Sequence, residues 1–167
     1  FHPDEGNDCE ITYFRPAIEK VERMLFTIAD MACVRLTTEI ITDSSILILE
    51  DDLYQIIFNL VENGIKYNVM DGTVKVCLTR DADNAVLTVS DTGMGIPMES
   101  LGKIFDRFYR VDKARSRQTG GSGLGLAIVR EMVERNGGSI TVTSSDAPPT
   151  GTVFTLTFPI FDVEVDL

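Results

Sequence analysis

Apolar positions recur along the chain in two periods, and these mark out its elements. Ile18, Val21, Leu25, Ile28 and Ala32 follow steps of three and four, the spacing of one helix face, with Pro16 as first helical residue. Val34, Leu36, Thr38 and Ile40 alternate with Arg35, Thr37 and Glu39, a strand pattern, and Ile46–Leu49 fits a short second strand. Asp51 or Asp52 is placed to cap a helix running to about Tyr67. That helix has an apolar face of Leu53, Ile56, Ile57, Leu60 and Val61, and a polar face of Gln55, Asn59, Glu62, Asn63 and Lys66. After an Asp71-Gly72 turn, strands are expected at about 73–80 and 85–90. From Thr92 to Ser122 the periodicity dissolves, apart from a short helix near 98–109, and so long an irregular stretch suits a functional lid or a disordered segment. A helix from about Leu124 to Asn136 stops at Gly137-Gly138, and strands at about 139–144 and 152–158 follow.

This order predicts an α/β fold: a two-layer sandwich in which a mixed sheet is covered on one face by helices, with a long lid. The expected division is a linker or tail at 1–15, one domain at 16–160 and a C-terminal tail at 161–167.

Composition narrows the function. The chain has 167 residues, 44% hydrophobic and 25% charged, as in an ordinary globular domain with a real core. No apolar run approaches the roughly 20 residues of a membrane span, so no membrane contact is expected of this stretch. Cys9, Cys33 and Cys77 form no CxxC and there is one histidine, which argues against zinc and for free thiols in a reducing compartment. A net charge of -11 argues against nucleic acid. Against that background Lys103, Arg107, Arg110, Lys113, Arg115 and Arg117 concentrate positive charge within the irregular stretch, as an anion ligand requires.

Four segments carry candidate chemistry. In the first, Asn59 and Asn63 lie four apart on one helix face, with Glu62, Lys66 and Tyr67 beside them. Asparagine is a poor choice for a helix interior. The bland reading is a solvated face; the chemical one is a Mg²⁺–phosphate site, because Mg²⁺ takes few protein ligands besides phosphate oxygens. The second, Asp91-Thr92-Gly93-Met94-Gly95-Ile96-Pro97, follows a strand. A carboxylate there can accept the exocyclic amine of adenine, and glycines let the base approach; an ordinary turn is the alternative. In the third, Phe105 and Phe108 alternate with Arg107 and Arg110, so that aromatics can anchor a lid while an arginine fork faces phosphate; an amphipathic surface helix is the alternative. The fourth, Gly120-Gly121-Ser122-Gly123-Leu124-Gly125-Leu126, leads into a helix N-terminus, where free N–H groups attract phosphate. It matches neither a dinucleotide fingerprint nor a P-loop.

Taken together and in this order, the segments resemble the asparagine, first glycine, phenylalanine and second glycine boxes of the histidine kinase ATP-binding domain. That domain belongs to the superfamily that includes gyrase, the Hsp90 chaperones and mismatch-repair ATPases. The resemblance covers about residues 16–160 and implies a Bergerat-type ATP-binding fold. It implies Asn63 as Mg²⁺ ligand supported by Asn59, Lys66 and Tyr67 as nucleotide contacts, and Asp91 on adenine with Gly93, Gly95 and Ile96 shaping the pocket. Phe105 and Phe108 match the lid aromatics, Arg110 a phosphate-reaching arginine, and Gly121, Ser122, Gly123, Leu124, Gly125 and Leu126 the phosphate loop. Gly64 and Asn68 depart from the common alanine and Ser or Thr, neither at a residue expected to do chemistry.

The implied activity is that of a two-component sensor histidine kinase: transfer of the ATP γ-phosphoryl to a histidine on a separate dimerisation domain. Glu62, Asn63, Lys66 and Arg110 are the catalytic candidates, ATP and Mg²⁺ the cofactors, and a response regulator the downstream partner. The sole histidine, His2, is followed by Pro3-Asp4-Glu5 and is not expected to be the acceptor, so this stretch alone should not phosphorylate itself. A cytoplasmic domain of a membrane-anchored parent is expected. Three alternatives stay open: an ATPase using Glu62 to activate water, a protein-serine kinase of the anti-sigma type, and a nucleotide-gated interaction module.

Overall fold

The computed structural model describes residues 9–107, 109 and 125–161. Its elements are β1 (Ile11–Tyr13), α1 (Phe14–Met31), β2 (Arg35–Ile40), β3 (Ser45–Leu47), α2 (Glu50–Lys66), β4 (Thr73–Asp81), β5 (Asn84–Asp91), α3 (Gly125–Arg135), β6 (Ser139–Ser145) and β7 (Gly151–Pro159). Strands β2-β4-β5-β7-β6 form the main sheet, while β1 and β3 make a separate antiparallel ribbon. The sheet is mixed: β2 runs parallel to β4 and the remaining pairs are antiparallel. A parallel pair needs a long crossover, and β3 with α2 supplies it.

Strand parity decides which face is covered. Val74, Val76 and Leu78 on β4, Ala85, Leu87 and Val89 on β5, and Phe154, Leu156 and Phe158 on β7 are all buried. The alternate residues, among them Lys75, Thr88 and Thr155, are not. The apolar stripes of the helices fill the layer above: Ile18, Val21 and Leu25 of α1, Ile56, Ile57 and Leu60 of α2, and Val129 and Val133 of α3. Helix α2 is central, touching α1, α3, β4 and β5. The two-layer sandwich expected from the sequence is therefore observed.

Three local expectations change. Residues 11–15, read as irregular, form β1 and the first turn of α1. The isolated alternation Ile11-Thr12-Tyr13 is too short to signal a strand without its partner, which the register supplies as Ile11 opposite Leu47. Pro16 therefore sits within the first turn rather than opening it, where its missing N–H is equally harmless. The start of α2 is not capped by Asp51 or Asp52. Leu49 occupies the cap position, and the Glu50 N–H donates to Glu10 Oε1 at 3.0 Å from across the ribbon, while the two aspartates sit in the first turn of the helix. The helix expected near 98–109 reduces to a 3-10 turn at Met98–Ser100 and successive three-residue turns, as in Lys103 N–H to Ser100 and Asp106 N–H to Lys103.

Candidate nucleotide site

Asp91 is the last residue of β5, and its register opposite the buried Val74 turns its side chain to the helix-covered face. Helix α2 passes directly over it. A Cβ on Gly64 would lie 3.2 Å from Val74 Cγ2 and 3.5 Å from Asp91 Cβ. Gly93 closes the same contact from the other side, since a Cβ there would lie 2.5 Å from the Tyr67 carbonyl oxygen. The first two segments thus meet at two glycines, with Gly64 against Asp91, Gly93 against Tyr67, and Met94 N–H donating to the Tyr67 carbonyl at 3.2 Å.

The Asp91 carboxylate accepts the Gly93 N–H at 2.8 Å. Burial pushes its carboxyl up to about 6, against which the backbone N–H groups of Gly93 and Thr152 pull downward. At neutral pH the ionised, acceptor-only form still predominates. A half-buried acceptor between two glycine-lined backbones is suited to an amine on a flat ring.

The loop after Asp91 is held at both ends. Gly95 has φ +76, and a Cβ on it would overlap the Ser145 carbonyl oxygen, so only glycine fits. Ile96 N–H donates to Ser144 Oγ at 2.7 Å, and Ser144 in turn meets the Gly151 carbonyl at 2.9 Å and Thr152 Oγ1 at 2.7 Å. On the opposite side Asn68 Nδ2 donates to the Thr73 carbonyl at 2.9 Å, and Asn68 Oδ1 accepts from Val69 N–H at 2.8 Å and from Thr92 Oγ1 at 3.4 Å. Asn68 and Thr92 entered the sequence reading only as a departure from the family pattern and as part of the Asp91 turn, and Ser144 did not enter it. Their only sequence signal is a short polar side chain next to a turn, which is shared by many loops.

On α2, Lys66 Nζ lies 3.5 Å from Glu62 Oε1, and Asn59 Nδ2 donates to the Gln55 carbonyl at 2.8 Å. Asn63 is half-buried, one position before the Gly64 contact with Asp91. Among the described residues no group of three or more His, Cys, Asp or Glu could hold a metal. Asn63 offers a single amide carbonyl oxygen, a donor that would suit Mg²⁺ held mainly by nucleotide oxygens.

In the stretch read as a lid, Phe105 meets Phe154 edge-to-face with ring centroids 6.2 Å apart, and the Arg130 guanidinium lies 5.6 Å from the Phe105 ring centroid. Arg107 pairs with Glu131 of α3 at 3.0 Å. Phe105 thus packs against β7, and Arg107 is engaged with α3. Of the phosphate loop, Gly125 opens α3 with no atom near its Cβ position, and Leu126 packs against the core. Phe108, Arg110, Gly121, Ser122, Gly123 and Leu124 lie outside the described residues. A separate concavity of about 470 Å³, lined by Phe26, Asp30, Cys33, Arg35 and Asp71, contains none of the candidate site residues.

The end of β5 and the C-terminal half of α2 together form a candidate nucleotide site. The family described as histidine kinase-, DNA gyrase B-, and HSP90-like ATPase matches residues 48–161, and the chain belongs to that family. It is 45% identical over 116 residues to the sensor histidine kinase RppB of Synechocystis sp., covering 70% of this chain and 25% of RppB. It is 41% identical over 119 residues to the sensor histidine kinase WalK of Bacillus subtilis, covering 70% of this chain and 19% of WalK. The chain thus spans a quarter or less of these relatives. Among solved structures it resembles the mycobacterial sensor histidine kinase MprB, with a TM-score of 0.77 at 28% identity, covering 91% of this chain and 97% of that one. It also resembles the nucleotide-free catalytic domain of histidine kinase ThkA, with a TM-score of 0.75 at 25% identity, covering 90% and 95%. Among the described residues no helix is long and apolar enough to cross a membrane.

Proposed function

We propose that this chain is the ATP-binding catalytic domain of a two-component sensor histidine kinase. The observation that carries the reading is the seating of Asp91 beneath Gly64 and beside Gly93, one turn or less from Asn63 and Lys66. In this reading Asp91 accepts the adenine amine, and Asn63, supported by Asn59, faces the phosphates with Lys66. Arg110 and the loop from Gly121 to Leu126 neutralise charge at the transferring group. Mg²⁺, held by Asn63 and the nucleotide, supplies charge neutralisation at the phosphate oxygens. The bond from the γ-phosphorus to the β–γ bridging oxygen breaks, a bond to an imidazole nitrogen forms, and ADP leaves with the electron pair. The imidazole belongs to a dimerisation domain of the parent protein, and a response regulator receives the phosphoryl group next. The parent is membrane-anchored, with this domain on the cytoplasmic side.

Glu62 beside the phosphates takes the imidazole proton. The ATPase reading comes second because the similar curated proteins are sensor histidine kinases. The test is to mix the chain, labelled ATP and Mg²⁺ with a histidine-bearing dimerisation domain of a close relative. Acid-labile phosphate on that histidine is expected. Hydrolysis at equal rates with and without acceptor would establish the ATPase instead, and binding without any turnover would leave an interaction module.

A further inference from the structure

Asn68, Thr73 and Thr92 stand at or just beyond the ends of three different elements and close a ring of hydrogen bonds. Asn68, just past the end of α2, donates through Nδ2 to the Thr73 carbonyl at 2.9 Å. Thr73, the first residue of β4, donates its N–H to Thr92 Oγ1 at 2.8 Å and accepts the Thr92 N–H at 3.1 Å. Thr92, directly after β5, donates its hydroxyl to Asn68 Oδ1 at 3.4 Å. Every polar atom of the two side chains is used, with Asn68 Oδ1 also receiving Val69 N–H at 2.8 Å. Space is reserved for the ring as well: a Cβ on Gly72 would overlap Asn68 Oδ1 and lie 2.9 Å from Thr92 Oγ1.

The ring stands between the two halves of the site. On one side Asn68 follows Lys66 and Tyr67; on the other Thr92 separates Asp91 from Gly93. Nothing in ordinary strand pairing sets how far the end of α2 stands from the end of β5. A side-chain ring that spans both elements does, and it thereby sets the separation between phosphate-facing and base-facing groups.

We infer that Asn68 and Thr92 are positioning residues that hold Asp91 at the correct distance from α2 for adenine, an inference that rests on the nucleotide site proposed above. They touch neither base nor phosphate and act through Asp91 and the Gly93 backbone. Fixing a binding group in place before the ligand arrives raises affinity by removing ordering cost.

The experiment is titration of the whole chain with ATP and with GTP in competition, at a temperature where circular dichroism shows every variant folded. Asn68→Ala and Thr92→Val, the second isosteric but lacking the hydroxyl, are each expected to weaken ATP about tenfold and to reduce the preference for ATP over GTP by a similar factor. Thr92→Ser keeps the hydroxyl and restores both. Because the ring acts as one unit, the double variant should also lose about tenfold, not the hundredfold of independent sites. Lowered melting temperature with unchanged ATP affinity and unchanged base preference would overturn the positioning role, as would a multiplicative double variant. If the unaltered chain binds no nucleotide at all, the site reading itself fails and this inference with it.

Discussion

The half-buried carboxylate of Asp91 makes a prediction that runs against the usual expectation for removing a functional charge. Burial holds its carboxyl near 6 rather than 3.8. A carboxyl raised in the folded state destabilises the fold when ionised: the penalty is complete above about pH 6, shrinks as pH falls, and is gone below 3.8. At about 1.4 kcal/mol per pH unit, the gap corresponds to about 3 kcal/mol near pH 7.5. Asn in place of Asp91 keeps the shape without the charge. Its amide nitrogen cannot accept the second backbone N–H, which offsets about 1 kcal/mol. The empty Asp91→Asn domain is therefore expected to be about 2 kcal/mol more stable than the parent at pH 7.5, a rise of roughly 4–8 °C in Tm. At pH 5 the difference should fall below about 1 kcal/mol. Urea denaturation followed by circular dichroism at both pH values measures this directly. A less stable variant at pH 7.5, or a difference that ignores pH, would refute the argument that desolvation dominates at this carboxyl. The same variant should bind ATP at least tenfold more weakly, because an amide replaces the acceptor, so stability and binding move in opposite directions.

Other positions give contrasting outcomes. Gly95→Ala forces a left-handed φ of +76 on a side chain and drives Cβ onto the Ser145 carbonyl, so a loss above about 2 kcal/mol with weakened ATP binding is expected in thermal melts and titration. Gly64→Ala meets Val74 at 3.2 Å and gains helix propensity of about 1 kcal/mol, so stability should stay within about 1 kcal/mol of the parent. Phe105→Ala removes the edge contact with Phe154 and the Arg130 guanidinium above it, and should cost about 2 kcal/mol in urea denaturation because the ring is only partly buried. Glu131→Ala breaks an exposed pair with Arg107 and should change stability by less than about 0.5 kcal/mol.

Much was legible in the sequence because it is written in local periodicity. The face Leu53, Ile56, Ile57, Leu60 and the alternation through β4, β5 and β7 name the core and its sheet without reference to partners. The candidate residues Asn63, Asp91, Gly93 and Gly95 likewise stand out by residue type, and their proposed roles rest on the family resemblance. What tertiary structure alone decided is where those segments meet. Gly64 reads as a weak helix position until Asp91 is seen 3.5 Å from where its Cβ would stand, and Gly93 as an ordinary turn glycine until the Tyr67 carbonyl closes over it. The strand Ile11–Tyr13 exists because Ser45–Leu47 lies beside it, and Glu10 caps α2 from 40 positions away. The ring of Asn68, Thr73 and Thr92 carries no pattern along the chain, since hydrogen bonds between elements depend on their separation in space. Local periodicity reports which face of an element avoids water; the distance between two elements is set by how those faces pack, and the chemistry of this site depends on that distance.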